Sequence, residues 1–270
     1  MTYTIYELLC FFVIYSVLGW CLEVCFCTIN TGQFVNRGFL NGPLCPIYGV
    51  GLVAVVALLE PVRDSLGLLY LGAVLVTSAI ELVTGFLMEK LFHQRWWDYS
   101  DMPFNIGGYV CLLFSLIWGL ACVLIVDVVH PLIAGLVSHI PQKIGWPVLI
   151  ALLVLMVVDY AITIACVLKL NRRLSGLDDA AKRMRTVSDS LGEGLADGAI
   201  ALRKKNEALR EVLRERQEKE NFVERRLVHA FPGMRSLKNK EALEAFKEHV
   251  RERREQRKKG QEEARNKNRE

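Results

Sequence analysis

Charge is scarce over residues 1–170, which hold six Lys or Arg (Arg37, Arg63, Lys90, Arg95, Lys143, Lys169) and ten Asp or Glu. So little charge among so many Leu, Val, Ile and Phe excludes an ordinary water-soluble domain for this half. Missing motifs exclude further classes. No Gly-rich phosphate loop followed by Lys-Ser/Thr occurs, so this chain hydrolyses no nucleotide by itself. GxSxG, HExxH and paired His are absent, and the five His (93, 130, 139, 229, 249) are read as lying in connectors or tail. An enzyme would therefore lack an obvious nucleophile. The start has no basic n-region and no small-residue cleavage site, so no cleavable signal peptide is expected. Eight Cys sit mostly inside apolar runs and read as small buried hydrophobes. Cys21, Cys25 and Cys27 lack a His at zinc-site spacing, so neither metal nor cofactor is expected.

What is present is a series of long apolar runs. A hydrocarbon core about 30 Å thick needs roughly 20 apolar residues per helix. Five segments qualify, at about 6–27, 47–62, 67–92, 107–129 and 147–169. The second is short and begins at a Pro, which suits a tilted or partly re-entrant helix. Residues 131–146, bounded by Pro131 and Pro147, read as an interfacial helix or turn. The expected fold is an all-α polytopic membrane bundle of about five transmembrane helices over residues 1–170. Residues 171–270, with 27 basic and 19 acidic side chains (net 27 − 19 = +8), form a charged, largely helical tail. Lys169, Arg172 and Arg173 directly after the last run place that tail in the cytoplasm of a bacterial inner membrane. Counting back puts the connectors at 28–46 and 93–106 on the same side and the N-terminus outside.

Ionisable groups inside a span are expensive, which makes each one a candidate. Glu81 and Glu89 are eight residues apart with Gly85 midway, so the three share one helical face. Glu23 shares a face with Gly19 and Tyr15. Asp159 lies mid-span, with Thr163 one turn on, and either has a functional role or bonds a neighbouring helix. The inner connectors add Asn36 and Arg37 in the first, and Arg95, Trp97, Asp98 and Asn105 in the second. Charge neutralisation suggests that Glu23, Glu81 and Glu89 meet Arg37 and Arg95 in a polar pocket at the inner half of the bundle. Trp96, Trp97 and Tyr99 also fit an aromatic belt at the headgroups. Within "FVNRGFLNGPLCPIYGVG", residues 34–51, several Gly permit close backbone approach while Pro43 and Pro46 prevent a continuous helix. That connector should fold back and carry Arg37 toward a carboxylate.

Four stretches, "YSVLGWCLEV", "FVNRGFLNGPLCPIYGVG", "ELVTGFLMEKLFHQRWWDYSDMPFNIGGYVCLLFSLIWG" and "HAFPGMRSLKNKEAL", together resemble the bacterial family named putative ABC-transporter type IV, or CmpB. The likeness covers most of residues 10–125 and a patch of the tail. It implies a permease-like role served by a separate ATPase subunit, and it carries over no substrate and no catalytic residue.

In the tail, Leu195, Leu202, Leu209 and Leu213 give a partial heptad stripe that points to a coiled coil. Pro232 and Gly233 should break the helix before the amphipathic piece "KNKEALEAFKEHV", and the final "RERREQRKKGQEEARNKNRE" reads as frayed. Membrane lipids and a second copy of the chain are the expected partners, while interleaved acids argue against nucleic acid. Three functions stay open: a transport component with a pocket for solute or lipid, an intramembrane enzyme on a lipid-linked substrate, and a noncatalytic scaffold or sensor acting through its tail.

Overall fold

The computed structural model describes residues 3–191 and 222–267, and these are overwhelmingly helical. Helix α1 spans Ile5–Thr31. It opens on a capping box, in which the Thr4 amide donates to the Glu7 carboxylate at 2.8 Å and the Glu7 amide donates to the Thr4 hydroxyl at 3.3 Å. It closes where Gly32 takes the left-handed region at φ 66° and its N–H returns to the Thr28 carbonyl. Helix α2, Pro46–Leu59, starts with Pro in the first turn, where a missing N–H costs nothing, and tightens into a 3₁₀ turn through Val62. Helix α3 follows as Leu66–Phe92.

Helices α4 (Leu112–Leu124) and α5 (His130–Ser138) join through a π-helical turn at Ile125–Val129 into one continuous apolar rod, Leu112–Ser138. Residues 131–138 therefore extend the fourth apolar helix, a correction to their reading as a separate interfacial piece. Pro131 did not end the helix because the wider π turn directly before it relieves its ring and its missing N–H. The break falls at His139–Pro141, and α6 runs Gln142–Leu191 with Pro147 inside its first two turns.

Four helices are long and apolar enough to cross a membrane, Ile5–Thr31, Leu66–Phe92, Leu112–Ser138 and Gln142–Gly176, and Pro46–Val62 is a shorter apolar one. Their direction alternates. At one end Phe39 meets Trp96 at 5.2 Å and Asn41 meets Asp159, which gathers residues 39–41, 96 and 159. At the other, Tyr3 reaches His130 at 2.9 Å and Arg63 donates to the Val126 carbonyl at 3.4 Å. The short α2 thus runs between the same two ends as its neighbours. Large apolar side chains on the outer faces, such as Leu75, Leu132 and Leu155, stay more than half exposed, as suits helices that lipid covers.

Packing between helices relies on small residues, as expected where lipid offers no hydrophobic drive for association. The Tyr48 ring lies against Gly19 of α1, and Gly49 presses on the Phe12 carbonyl and the Ser16 hydroxyl. Gly119 of α4 admits Val74 and Tyr70 of α3.

Contacts divide the chain into Met1–Ala165 and Cys166–Glu270. In the second unit α7, Phe222–Ala230, is followed by a turn and then by α8, Lys240–Lys267. Helix α8 carries the terminal charged segment through Lys267, where fraying was expected. Its Lys, Arg and Glu are strong helix formers, and pairs such as Arg251–Glu255 at 3.5 Å lie one turn apart. Within this unit Glu224 is fully buried and pairs with Arg173 Nη1 at 2.5 Å. The heptad stripe Leu195–Leu213 lies outside the described residues.

A Cβ at Gly49 would collide with the Phe12 backbone carbonyl, whereas one at Gly51 meets open space. Gly49→Ala should destabilise the bundle by about 1–3 kcal/mol, as overpacking does, and Gly51→Ala should not. Unfolding of both variants in detergent, followed by circular dichroism, checks the contrast.

Candidate functional site

Glu23, Glu89 and Asp159, three acids of the apolar helices, are each met by an irregular connector. Glu23, near the end of α1, pairs with Arg37 Nε at 3.2 Å and accepts a 2.6 Å hydrogen bond from the Tyr48 hydroxyl. Arg37 also lies over the Phe26 ring at 5.5 Å. Its connector is held by Asn36, whose side-chain oxygen accepts from Trp20 Nε1 at 2.7 Å and from the Gly38 amide, while its amide donates to the Asn41 carbonyl. Asn36 therefore shapes the loop that delivers Arg37.

The same loop closes on α6. Asp159 accepts from the Asn41 amide at 3.1 Å, the Asn41 side chain at 2.7 Å and the Gly42 amide at 2.7 Å, with Thr163 donating at 3.3 Å. Nothing in this arrangement needs a cation: aligned N–H and O–H donors satisfy the carboxylate and tie the first connector to the last apolar helix.

The second connector, residues 93–111, carries its own network. Arg95 Nε donates to Glu89 at 2.8 Å, its Nη1 reaches Asp98 at 3.3 Å, and its guanidinium lies 5.1 Å from the centre of the Tyr109 ring. Burial works against the Arg95 charge, but Glu89 and Asp98 outweigh it and hold the guanidinium more firmly protonated than usual. Asp98 also accepts from the Ser100 amide and hydroxyl. Asn105 bridges the Ser100 and Met102 carbonyls and accepts from the Gly108 amide, so it organises the turn. Antiparallel pairing of Asn105–Ile106 with Val110–Cys111 brackets Gly107 and Gly108, both at positive φ. Trp97 packs on Gly85 of α3 and donates to the Tyr109 carbonyl at 2.8 Å.

Glu81 was expected to meet an arginine. Instead the polar group that acts on it is the Tyr99 phenol, and among the described residues no Lys or Arg pairs with it. Arg37 and Arg95 are engaged by Glu23, Glu89 and Asp98. Burial first, and then the charge of Glu81, push the Tyr99 phenol above its ordinary range, so it remains a donor at any physiological pH.

Other expectations need correction. Trp96 is no headgroup anchor, because it is buried against Phe39 and Phe92. Cys21 and Cys25 are exposed on α1, while five of the remaining Cys are buried. His130, read as a connector residue, is buried at the start of α5 between the hydroxyls of Tyr15 at 2.7 Å and Tyr3 at 2.9 Å. Among the described residues no three His, Cys, Asp or Glu converge to hold a metal.

Alternating apolar helices, lipid-suited outer faces and loop-delivered partners for the acids inside define a polytopic helical membrane protein. A family model described as Putative ABC-transporter type IV matches residues 10–164, more than half of the chain, and the protein belongs to that family. It is a membrane protein of this transporter-like type. The match runs past the stretches that suggested it and ends before the tail patch. No curated protein and no solved structure matches the chain.

Removing the Asp159 carboxylate strands the Gly42 and Asn41 amides. Asp159→Ala should cost about 1–3 kcal/mol, the penalty for buried donors left unpaired, and should free the first connector. Faster hydrogen exchange at residues 34–45, with little change at 93–111, would register it.

Proposed function

We propose that the chain is the membrane-embedded component of a transport system, with the centre formed by Glu23, Arg37, Tyr48, Glu81 and Tyr99 on the path of the solute. The observation that carries this reading is the placement of Glu81: a half-buried carboxyl within an apolar helix, met by a phenol and left without a cation among the described residues. A purely structural acid would be saturated, as Asp159 is. Glu89, Arg95, Trp97 and Asp98 form an adjoining polar shell, and Asn36 and Asn105 fix the two loops that carry it.

Orientation follows from the basic residues. Lys169, Arg172 and Arg173 put the end of the last apolar helix in the cytoplasm. Five alternating passes then set both connectors on that side and the N-terminus outside. Helix α2 with its 3₁₀ extension, about 25 Å at ~1.5 Å per residue, serves as the second pass through modest tilt or local thinning. Energy for uphill movement comes from a separate ATPase, since this sequence has no nucleotide-binding loop.

Proteoliposomes containing the full chain, loaded with panels of ions, amino acids and cationic drugs, test the reading. Flux above that of empty vesicles is expected for one class, with Glu81→Gln lowering it about tenfold or more, the equivalent of one charge contact worth ~1.4 kcal/mol. Equal flux in wild type, variant and empty vesicles across the panel would overturn it.

A further inference from the structure

The neighbourhood of Glu81 also constrains which solute it takes. Phe114 and Trp118 lie one turn apart on α4 and so share a face. Tyr99 stacks on Phe114 with ring centres 5.0 Å apart and planes at 27°. Tyr48 stands edge-on to Trp118 at 5.5 Å. Tyr48 donates its hydroxyl to Glu23 at 2.6 Å, and Tyr99 lies near enough to Glu81 for that carboxyl to act on its phenol. Two phenol–carboxylate units thus lie side by side on one aromatic face.

Their charge does not balance. Glu23 and Glu81 bring two negative charges and Arg37 one positive, giving −2 + 1 = −1 when all are ionised. Arg95 cannot supply the difference, since Glu89 and Asp98 already hold it. The phenols bring no charge. A carboxylate in so apolar a setting stays ionised only when a positive charge comes to it.

We propose that this centre binds a monovalent organic cation with a flat or alkyl body, the ammonium or delocalised positive charge facing Glu81 and the body lying against the Tyr48, Trp118, Tyr99 and Phe114 rings. The inference rests on the transport reading, whose cargo it specifies. Aromatic faces attract such cations and welcome their apolar parts, and both effects grow where water is thin. A hard divalent metal is a poor fit, for it needs six or more oxygen ligands, and among the described residues no three acidic, His or Cys side chains converge. An anionic solute would meet net negative charge. At the edge of this centre the Arg37 and Glu23 side chains remain 36% and 24% exposed.

Binding of ethidium and of tetraphenylphosphonium to the full chain in phosphatidylcholine nanodiscs tests the proposal, with fluorescein as the anionic control. Saturable binding of both cations and none of fluorescein is expected. Glu81→Gln should weaken cation binding about tenfold or more, by loss of one charge contact. Trp118→Leu keeps an apolar side chain on α4 and should weaken it severalfold. Arg37→Gln should tighten it by removing a competing charge. Absence of saturable cation binding in the wild type overturns the proposal, as does unchanged affinity in both Glu81→Gln and Trp118→Leu; a proton alone on Glu81 would give the first of these results. Cation binding without flux would sink the transport reading and leave this site standing. Flux of neutral or anionic solutes that depends on Glu81, without cation binding, would do the reverse.

Discussion

A carboxylate carried into the apolar part of a membrane protein costs several kcal/mol unless a donor or a cation meets it there, and in this chain that cost joins the connectors to the helices. Glu23, Glu89 and Asp159 each draw a loop inward, through Arg37, Arg95 and the Asn41–Gly42 amides respectively. A chain of plain apolar helices would be held by shape alone. Here the loops are clamped to specific depths, and through them the spacing of α1, α3 and α6 is set.

The three clamps differ in kind. Arg37 and Arg95 bring full charges on long, partly exposed side chains, so their pairs are adjustable. Asp159 is met by main-chain N–H groups from a loop that Asn36 has already shaped, and that contact leaves little freedom. The rigid clamp fixes the first connector, and the flexible one lets Arg37 share Glu23 with Tyr48. Glu81 belongs to neither class, which is why it stands out as the group with chemistry to spare.

Much of the architecture was legible because membrane helices announce themselves by length and hydropathy. Charge matching also pointed to partners for Glu23 and Glu89, since so few cations exist in the first 170 residues. What the sequence could not reveal were contacts made by groups every residue possesses. The main-chain donors that satisfy Asp159 lie about 117 positions away and leave no mark in side-chain type. Tyr99 was read as a headgroup anchor because an aromatic beside two tryptophans looks the same whether its hydroxyl faces water or a carboxyl. His130 was misplaced through Pro131, which reads as a helix end, and π turns have no composition signature. The tail's final segment was judged by its charge when helix propensity decided it.

That π turn has a consequence for how the molecule tolerates change. It holds one residue more than a regular turn requires, and His130, wedged between Tyr3 and Tyr15, sits where the surplus ends. Forcing regular α bonding across residues 125–129 with every residue kept would pass the surplus down the rod and swing everything beyond by about 100°. The imidazole would then leave its two phenols, and the start of the polypeptide would lose its mooring. In this helix the irregular hydrogen bonding is what keeps the register correct, so a more ideal α-helix here would make a less stable protein.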